Sequence, residues 1–135
     1  LRVIFDPRIT AHPGTRRERN LPAEFHAAGA KIALSPRSDS VAAHEEWLTD
    51  VGELVRYGLD RQVALRSVTL EPAHVLGLGE EVGAIQVGRK ANLLIFDRDP
   101  FDPARKLEGV MLEGRFVAGE RFAGPGATVR GGFGL

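Results

Sequence analysis

Histidine is the side chain most often used for acid–base and metal chemistry, and the chain has four. They are His12, His26, His44 and His74. No two of them are spaced at i, i+2 or i, i+4, so neither a strand nor a helix would bring a pair onto one metal ion. We therefore expect each to be a surface or boundary residue. A serine nucleophile is not indicated either, because no serine has the G-x-S-x-G context of a nucleophile elbow.

A basic cluster lies in the segment Thr10–Arg19, which also carries a Pro-Gly pair and is predicted to be an irregular exposed loop. The cluster consists of Arg16, Arg17 and Arg19, and it could hold an anion. Glu18 stands among these arginines and balances part of their charge. A solvated loop is therefore the favoured interpretation.

The elements before and after this segment define where chemistry would sit. Leu1–Phe5 and Lys31–Leu34 are short apolar segments that predict strands. Between them, Asn20 is suited to cap a helix over Leu21–Ala28. Strand, helix and strand in this order form a βαβ unit with parallel strands. The polar turn Ser35–Ser40 leaves the carboxyl end of the second strand, the edge at which α/β proteins place their catalytic groups.

Three helices are predicted after this turn. Asp60 caps the second of them, which extends to about Leu70, and Pro72 and Gly77 bracket a third over Ala73–Leu76. The first is an amphipathic helix of about 14 to 17 residues. Its apolar residues, spaced at three and four, are Val41, Trp47, Leu48, Val51, Leu54, Val55 and Leu59.

Past the helices the composition changes to glycine and β-forming residues. Val82–Asp99 predicts a hairpin, with a first strand in which Ile85 and Val87 alternate with small or polar residues and a turn at Gly88. Its second strand, the apolar run Leu93–Phe96, is predicted to be buried on both faces.

A second hairpin is predicted from Leu107–Leu112 and Arg115–Ala118, which brings the number of short strands in this part to four. The last segment, Gly119–Leu135, holds six of the 16 glycines. We expect it to be a mobile tail, pinned at most by Phe122 and Phe133.

The composition excludes several classes of protein. At 135 residues with 43% hydrophobic and 27% charged residues, the chain is a globular domain, and no apolar stretch approaches the ~20 residues of a membrane span. The 18 basic and 18 acidic residues cancel, so there is no field to hold nucleic acid or an anionic membrane. The absence of cysteine excludes disulfides and thiolate metal sites and fits a reducing compartment, so we expect a cytoplasmic protein.

One stretch resembles a known family signature. The pattern G-x-I-x-x-G-x-x-A-[DN]-L-x-x-x-D is present as Gly83, Ile85, Gly88, Ala91, Asn92, Leu93 and Asp97. It resembles the C-terminal signature of the metal-dependent amidohydrolase superfamily, particularly its imidazolonepropionase-like members. Ala64–Leu78 is similar to the family motif A-L-x-x-x-T-x-x-P-A-x-x-L-G-[LIV], and further family motifs match Asp99–Pro103 and Val110–Val117. The resemblance extends over all but the tail.

This resemblance implies an α/β fold in three parts. Residues 1–76 would be the last two β/α units of a (β/α)8 metal-dependent hydrolase barrel, and residues 77–118 would be part of a small composite β-sandwich. Residues 119–135 would be the Gly-rich tail. Since the sequence opens with a strand residue and not with methionine, we expect the chain to be the C-terminal portion of a longer protein.

The resemblance also implies a site residue. The His-x-His of the first barrel strand, the bridging lysine and the histidines of strands five and six would all precede Leu1. The remaining family residue is an aspartate after strand eight that binds metal and transfers a proton, and Asp39 is the candidate for both roles. Its spacing departs from the family pattern, because counting about two residues from Leu34 gives Pro36–Arg37. The alternative is that Asp39 caps the helix that follows.

The resemblance implies that the complete enzyme hydrolyses non-peptide C–N bonds of a small molecule, using water activated by a divalent metal. Zinc is the first candidate. Cyclic amides are among the candidate substrates. The chain alone is expected to hold no metal and to be inactive, and to form homo-oligomers or to associate with the missing N-terminal part. The alternative, from a different functional class, is a non-catalytic structural or association module derived from the same fold.

Overall fold

The structure is a computed structural model that describes residues 1–119. The predicted tail, from residue 120 onward, lies outside the described residues. The chain divides into two compact units, Leu1–Ala84 and a second that begins at Ile85. The predicted junction after residue 76 falls within the first unit. The assignment of the parts to a barrel and a sandwich stays a prediction.

The secondary structure alternates strands and helices in the first unit and contains strands in the second. The first unit holds β1 (Arg2–Phe5), β2 (Thr10–Ala11), β3 (Glu18–Arg19), α1 (Leu21–Ala27), β4 (Lys31–Leu34), α2 (Val41–Arg56), α3 (Arg61–Val68) and α4 (Leu70–Val75). The second holds β5 (Leu93–Phe96), β6 (Leu107–Leu112) and β7 (Arg115–Ala118). Among residues 1–119, no helix combines the length and apolar character needed to cross a membrane.

β1 and β4 form a parallel pair at the centre of the first unit, in register from their first to their last residues. The connection between them passes through β2 and β3 and then through α1, which supplies the helix that the βαβ prediction requires. β4 is buried apart from its first residue, and α1, α3 and α4 pack against it. The carboxyl ends of the two strands stay together, because the amide of Ser35 donates to the carbonyl of Phe5 at 3.0 Å.

Asn20 joins the start of α1 to the end of α2. Its Oδ1 accepts a hydrogen bond from the amide of Ala23 at 3.1 Å, as expected for an N-cap. Its Nδ2 donates to the carbonyls of Leu54 at 2.8 Å and Tyr57 at 3.2 Å. One buried side chain therefore bonds to backbone groups at the start of one helix and at the end of the other.

Two predictions of local structure in the first unit are wrong. Residues 10–19 are not wholly irregular, because the chain reverses through Gly14 and lets β2 and β3 pair as a short antiparallel hairpin. Helix α4 begins at Leu70 and not at Ala73, so that Pro72 is its third residue. The amide that proline lacks would have no acceptor in the first turn, which is why the helix tolerates it there.

The second unit contains an antiparallel sheet with the strand order β5-β6-β7. Glu113 and Gly114 connect β6 to β7 and both have positive φ, 48° and 81°, as in a type I′ hairpin turn. Oδ1 of Asn92 accepts a hydrogen bond from the amide of Glu113 at 2.8 Å. This bond ties the turn to the residue that precedes β5.

The predicted first strand of the Val82–Asp99 hairpin is not formed. Residues 82–92 form bends, a turn at 87–88 and irregular backbone, and Gly83 and Gly88 have φ values of +89° and +88° that interrupt an extended backbone. β5 instead pairs with β6. The prediction that β5 is buried on both faces is also wrong for the described residues, because the sheet leaves Leu94 57% exposed.

Candidate functional site

Asp39 lies on the turn that leaves the carboxyl end of β4, and its side chain is exposed. The N-cap of α2 is the next residue, Ser40, which has extended backbone and whose Oγ accepts a hydrogen bond from the amide of Ala43 at 3.2 Å. The structural alternative for Asp39, capping this helix, is therefore wrong, because Asp39 stands one residue too early.

Contacts on both sides of Asp39 attach this turn to α2. The guanidinium of Arg37 lies 3.1 Å from a carboxylate oxygen of Glu46 and 3.1 Å from one of Asp50. Burial raises the pKa of Asp50, and the charge of Arg37 opposes that effect. On the other side, Ser40 caps the helix. Asp39 is thus carried by a turn that is fixed at both ends while its carboxylate faces solvent.

A cavity of about 330 Å³ opens at the carboxyl end of β1. It is lined by Phe5, Asp6, Arg8, Thr10, Leu21 and Pro22. The guanidinium of Arg8 is ion-paired with the carboxylate of Asp6. No sequence motif singles out Asp6, which directly follows β1 and precedes Pro7. The signal that could have found it is its position directly after a parallel strand, the same edge that carries Asp39.

Each of the four histidines contacts a residue near it in the chain. His74 packs on Gly79, where an added Cβ would lie 2.1 Å from the ring Nδ1. Each of the others has its Nδ1 within hydrogen-bond distance of a nearby carbonyl oxygen. The pairs are His12 with Pro13 (3.2 Å), His26 with Ala30 (3.3 Å) and His44 with Ser40 (2.9 Å).

Residues 1–119 contain no group of three or more histidine, cysteine, aspartate or glutamate side chains that could hold a metal ion. Asp39 would supply a single ligand, whereas a catalytic zinc site usually takes three from the protein. The described residues therefore do not by themselves fit the metal centre that the sequence resemblance implies. Further ligands would have to come from outside them.

Residues 15–117 match the model of the Amidohydrolase family. The chain belongs to this family. Over 41 residues it is 56% identical to the N-substituted formamide deformylase of Arthrobacter pascens, which is 30% of this chain and 8% of that protein. Over 72 residues it is 36% identical to the imidazolonepropionase of Geobacillus sp. (strain WCH70), which is 52% of this chain and 17% of that protein. The amidohydrolase chain thus spans less than a fifth of each of these relatives.

Solved structures agree with this membership. An amidohydrolase from Thermotoga maritima MSB8 superimposes with a TM-score of 0.67 at 28% identity, over 73% of this chain and 25% of that one. An adenosine deaminase from Xanthomonas campestris with bound zinc gives 0.55 at 20% identity, over 76% of this chain and 29% of that one. The second likeness concerns the fold alone. The amidohydrolase chain therefore has a mixed α/β fold of the type found in these enzymes.

The signature residues of this amidohydrolase chain make backbone contacts. Oδ1 of Asp97 accepts a hydrogen bond from the amide of Lys106 at 2.8 Å. That bond, together with the bond from Arg98, lowers the pKa of Asp97. Gly83 approaches α4 so closely that an added Cβ would lie 2.9 Å from the Cα of Leu70. Asp97 thus makes its contact within the second unit and Gly83 within the first.

Proposed function

We propose that this chain is the C-terminal portion of an enzyme that hydrolyses non-peptide C–N bonds in a small molecule. Cyclic amides are among the candidate substrates. The observation that carries the proposal is the family match over residues 15–117. The name of one relative, a deformylase of N-substituted formamides, favours this type of bond.

The fold assignment forms part of this proposal. Residues 1–76 would be the last two β/α units of a (β/α)8 barrel, and residues 77–118 would be part of a composite β-sandwich. The parallel β1-α1-β4 unit and the antiparallel β5-β6-β7 sheet support these two architectures. Within residues 1–119, β1 and β4 each have one partner strand. The strands that would complete a barrel would come from the rest of the enzyme.

Within this enzyme we assign Asp39 to proton transfer. As water adds to the carbonyl carbon, the carboxylate would take a proton from the water and then give it to the nitrogen as the C–N bond breaks. Its exposure at the carboxyl edge of the sheet and its freedom from the capping role support this assignment. A divalent metal, with zinc as the first candidate, would activate the water in the complete enzyme, and Asp39 would be one of its ligands.

The test replaces Asp39 by Asn in the complete enzyme. If the assignment is correct, kcat falls by about 10²–10⁴-fold while the urea midpoint of unfolding is unchanged. The matched control is Asp60→Asn, the same chemical change at the exposed N-cap of α3, where Asn caps as well as Asp. Turnover that survives Asp39→Asn would remove Asp39 from the mechanism.

The isolated chain should hydrolyse nothing, because it supplies at most one of the ligands that the family uses. A hydrolase screen with added zinc or manganese tests this expectation, and turnover that a chelator abolishes would contradict it. Mass analysis of the natural product separates the enzyme from the alternative, a non-catalytic association module. A product of much greater mass that contains these residues favours the enzyme.

Association with another polypeptide is a further part of the proposal. Ile85 and Val87 are 90% and 102% exposed, and Leu94 is 57% exposed. Fully burying an apolar side chain of this kind in an interface would contribute about 1.5–3 kcal/mol to the free energy of association. We expect either a second copy or the remaining part of the enzyme to cover them through an interface above about 1,000 Å². Sedimentation of the isolated chain at micromolar concentration checks this, and a compact, cooperatively unfolding monomer with protected amides throughout Leu93–Phe96 would show that the chain needs no partner.

A further inference from the structure

The cavity at the carboxyl end of β1 has one apolar wall and one polar wall. Phe5, Leu21 and Pro22 form the apolar wall. The ring of Phe5 is held by an edge-on contact with Phe25, at a centroid distance of 5.3 Å, and Pro22 is buried. A volume of about 330 Å³ lies within the range of sites for small molecules. A small apolar group could therefore rest against a wall that is already in place.

The polar wall consists of Asp6, Arg8 and Thr10, and the first two carry its charges. Their side chains are ion-paired, and the amide of Arg8 also donates to the carbonyl of Asp6 at 2.9 Å, so a tight turn keeps the two groups side by side. The pair is electrically neutral. The guanidinium has five N–H donors and the carboxylate has two acceptor oxygens, so each keeps hydrogen-bonding capacity beyond their mutual contact, while the neutral pair gives no net attraction for an ion. The wall thus offers a hydrogen-bond acceptor next to a donor and selects neither charge.

A neutral amide matches this arrangement when its N–H and its C=O point to the same side, as in a primary amide or a lactam. We propose that the cavity binds such an amide edge, with Asp6 accepting from the N–H, Arg8 donating to the C=O and an apolar substituent lying against Phe5. This inference rests on the proposed function, because it names a group that the substrate would carry. Asp6 and Arg8 are then specificity-determining residues.

The location links this pocket to the proposed chemistry. The bond from the amide of Ser35 to the carbonyl of Phe5 holds the ends of β1 and β4 together. The cavity begins at Phe5, and the turn that carries Asp39 begins at Ser35. Substrate recognition and proton transfer would therefore use the same edge of the parallel pair, as is usual in α/β enzymes.

The experiment titrates the 135-residue chain, without metal, with three probes that share one skeleton: 3-phenylpropanamide, its N,N-dimethyl derivative and 3-phenylpropanoate. Binding is followed by amide chemical shifts in NMR spectra. The primary amide should bind with shifts centred on Phe5–Thr10, and about tenfold more tightly than the dimethylamide, which lacks the N–H. Equal binding of all three probes, or shifts elsewhere in the chain, would overturn the proposal.

Two variants should change the preference in opposite directions. Asp6→Ala leaves Arg8 without its carboxylate, so the propanoate should become the tightest probe. Arg8→Ala leaves Asp6 alone, so 3-phenylpropylamine, the matching cation, should exceed the amide. Glu24→Ala is the control, because it breaks the comparable ion pair of Arg19 outside the cavity lining and should leave the ranking unchanged. An unaltered ranking in both cavity variants with native-like spectra would refute the assignment.

This design separates the pocket from the proposed function, since binding is measured without metal or turnover. Amide binding by a chain whose complete enzyme hydrolyses no C–N bond would keep the pocket and reject the enzyme. Turnover in the complete enzyme together with unselective binding here would reject the pocket alone.

Discussion

Replacing Asn20 by Ala should destabilise the first unit by about 2–3 kcal/mol. Loss of the N-cap bond to the amide of Ala23 accounts for about 1 kcal/mol. Loss of the two bonds from Nδ2 accounts for about 0.5–1 kcal/mol each. The figure for Leu54 belongs at the lower end, because its carbonyl also accepts from the amide of Leu59 at 2.9 Å.

The measurement is urea unfolding followed by the fluorescence of Trp47, the single tryptophan, which lies on α2. Asn20→Asp separates the two functions of the side chain, since it keeps the cap acceptor but removes the donor and directs a carboxylate at two carbonyls. It should be at least as destabilising as Asn20→Ala at pH 7. Lowering the pH should recover part of the loss, because a protonated carboxyl group can donate one bond.

Ser40→Ala is the matched control. Ser40 also caps a helix, but its side chain is exposed and accepts one backbone bond, so its loss should cost about 1 kcal/mol. If Asn20→Ala costs no more than Ser40→Ala, or if Asn20→Asp is as stable as the wild type, the reasoning is refuted. The link between α1 and α2 would then contribute nothing to stability.

Three further variants test other contacts. Gly83→Ala should destabilise the chain more than Gly88→Ala. Both glycines have positive φ, which costs alanine about 1–2 kcal/mol, but of the two only Gly83 has backbone atoms where the added Cβ would lie. Equal urea midpoints would contradict this. Leu54→Ala should cost about 2–5 kcal/mol by leaving a cavity, and a loss below 1 kcal/mol in the same assay would show that the site collapses. The pKa of Asp97 in the folded chain is below the ordinary value of 3.8. The carboxylate therefore contributes to folding stability above that pH, and this contribution is lost as the pH falls through the folded pKa. In an acid titration, the NMR shifts of the β5 amides should show a step where Asp97 becomes protonated. Asp97→Asn should remove that step, and an unchanged titration would exclude Asp97 as its source.

Local sequence was sufficient for much of the first unit. Asn20 as the cap of α1, the amphipathic pattern of α2 and the cap Asp60 of α3 predicted helices that the structure contains. The strands β1 and β4 and their parallel pairing followed from two apolar runs around one helix. These features depend on side chains that satisfy backbone groups within a few residues, so a short window of sequence carries the information.

Family membership was also available from the sequence, because the signature of Gly83–Asp97 keeps its spacing. The roles of its residues were not. Gly83 is required by the approach of α4, whose first residues lie more than ten positions earlier in the chain. Ile85 and Val87 alternate with small and polar residues as a strand would, yet they have no partner strand among residues 1–119. Ile85 lies in irregular backbone and Val87 in a turn.

The candidate site shows the same division. The sequence places Asp39 after a strand, but only the structure shows that Ser40 caps the helix. A shift of one residue in the start of the helix decides which side chain reaches the amide of Ala43. The pairing of Asp6 with Arg8 beside the apolar wall of α1 also depends on how the chain folds back after β1. Sequence determined the family and most of the helices and strands, since these rest on residue spacing and local bonds. Tertiary structure decided which side chains meet, since those contacts depend on packing between distant segments.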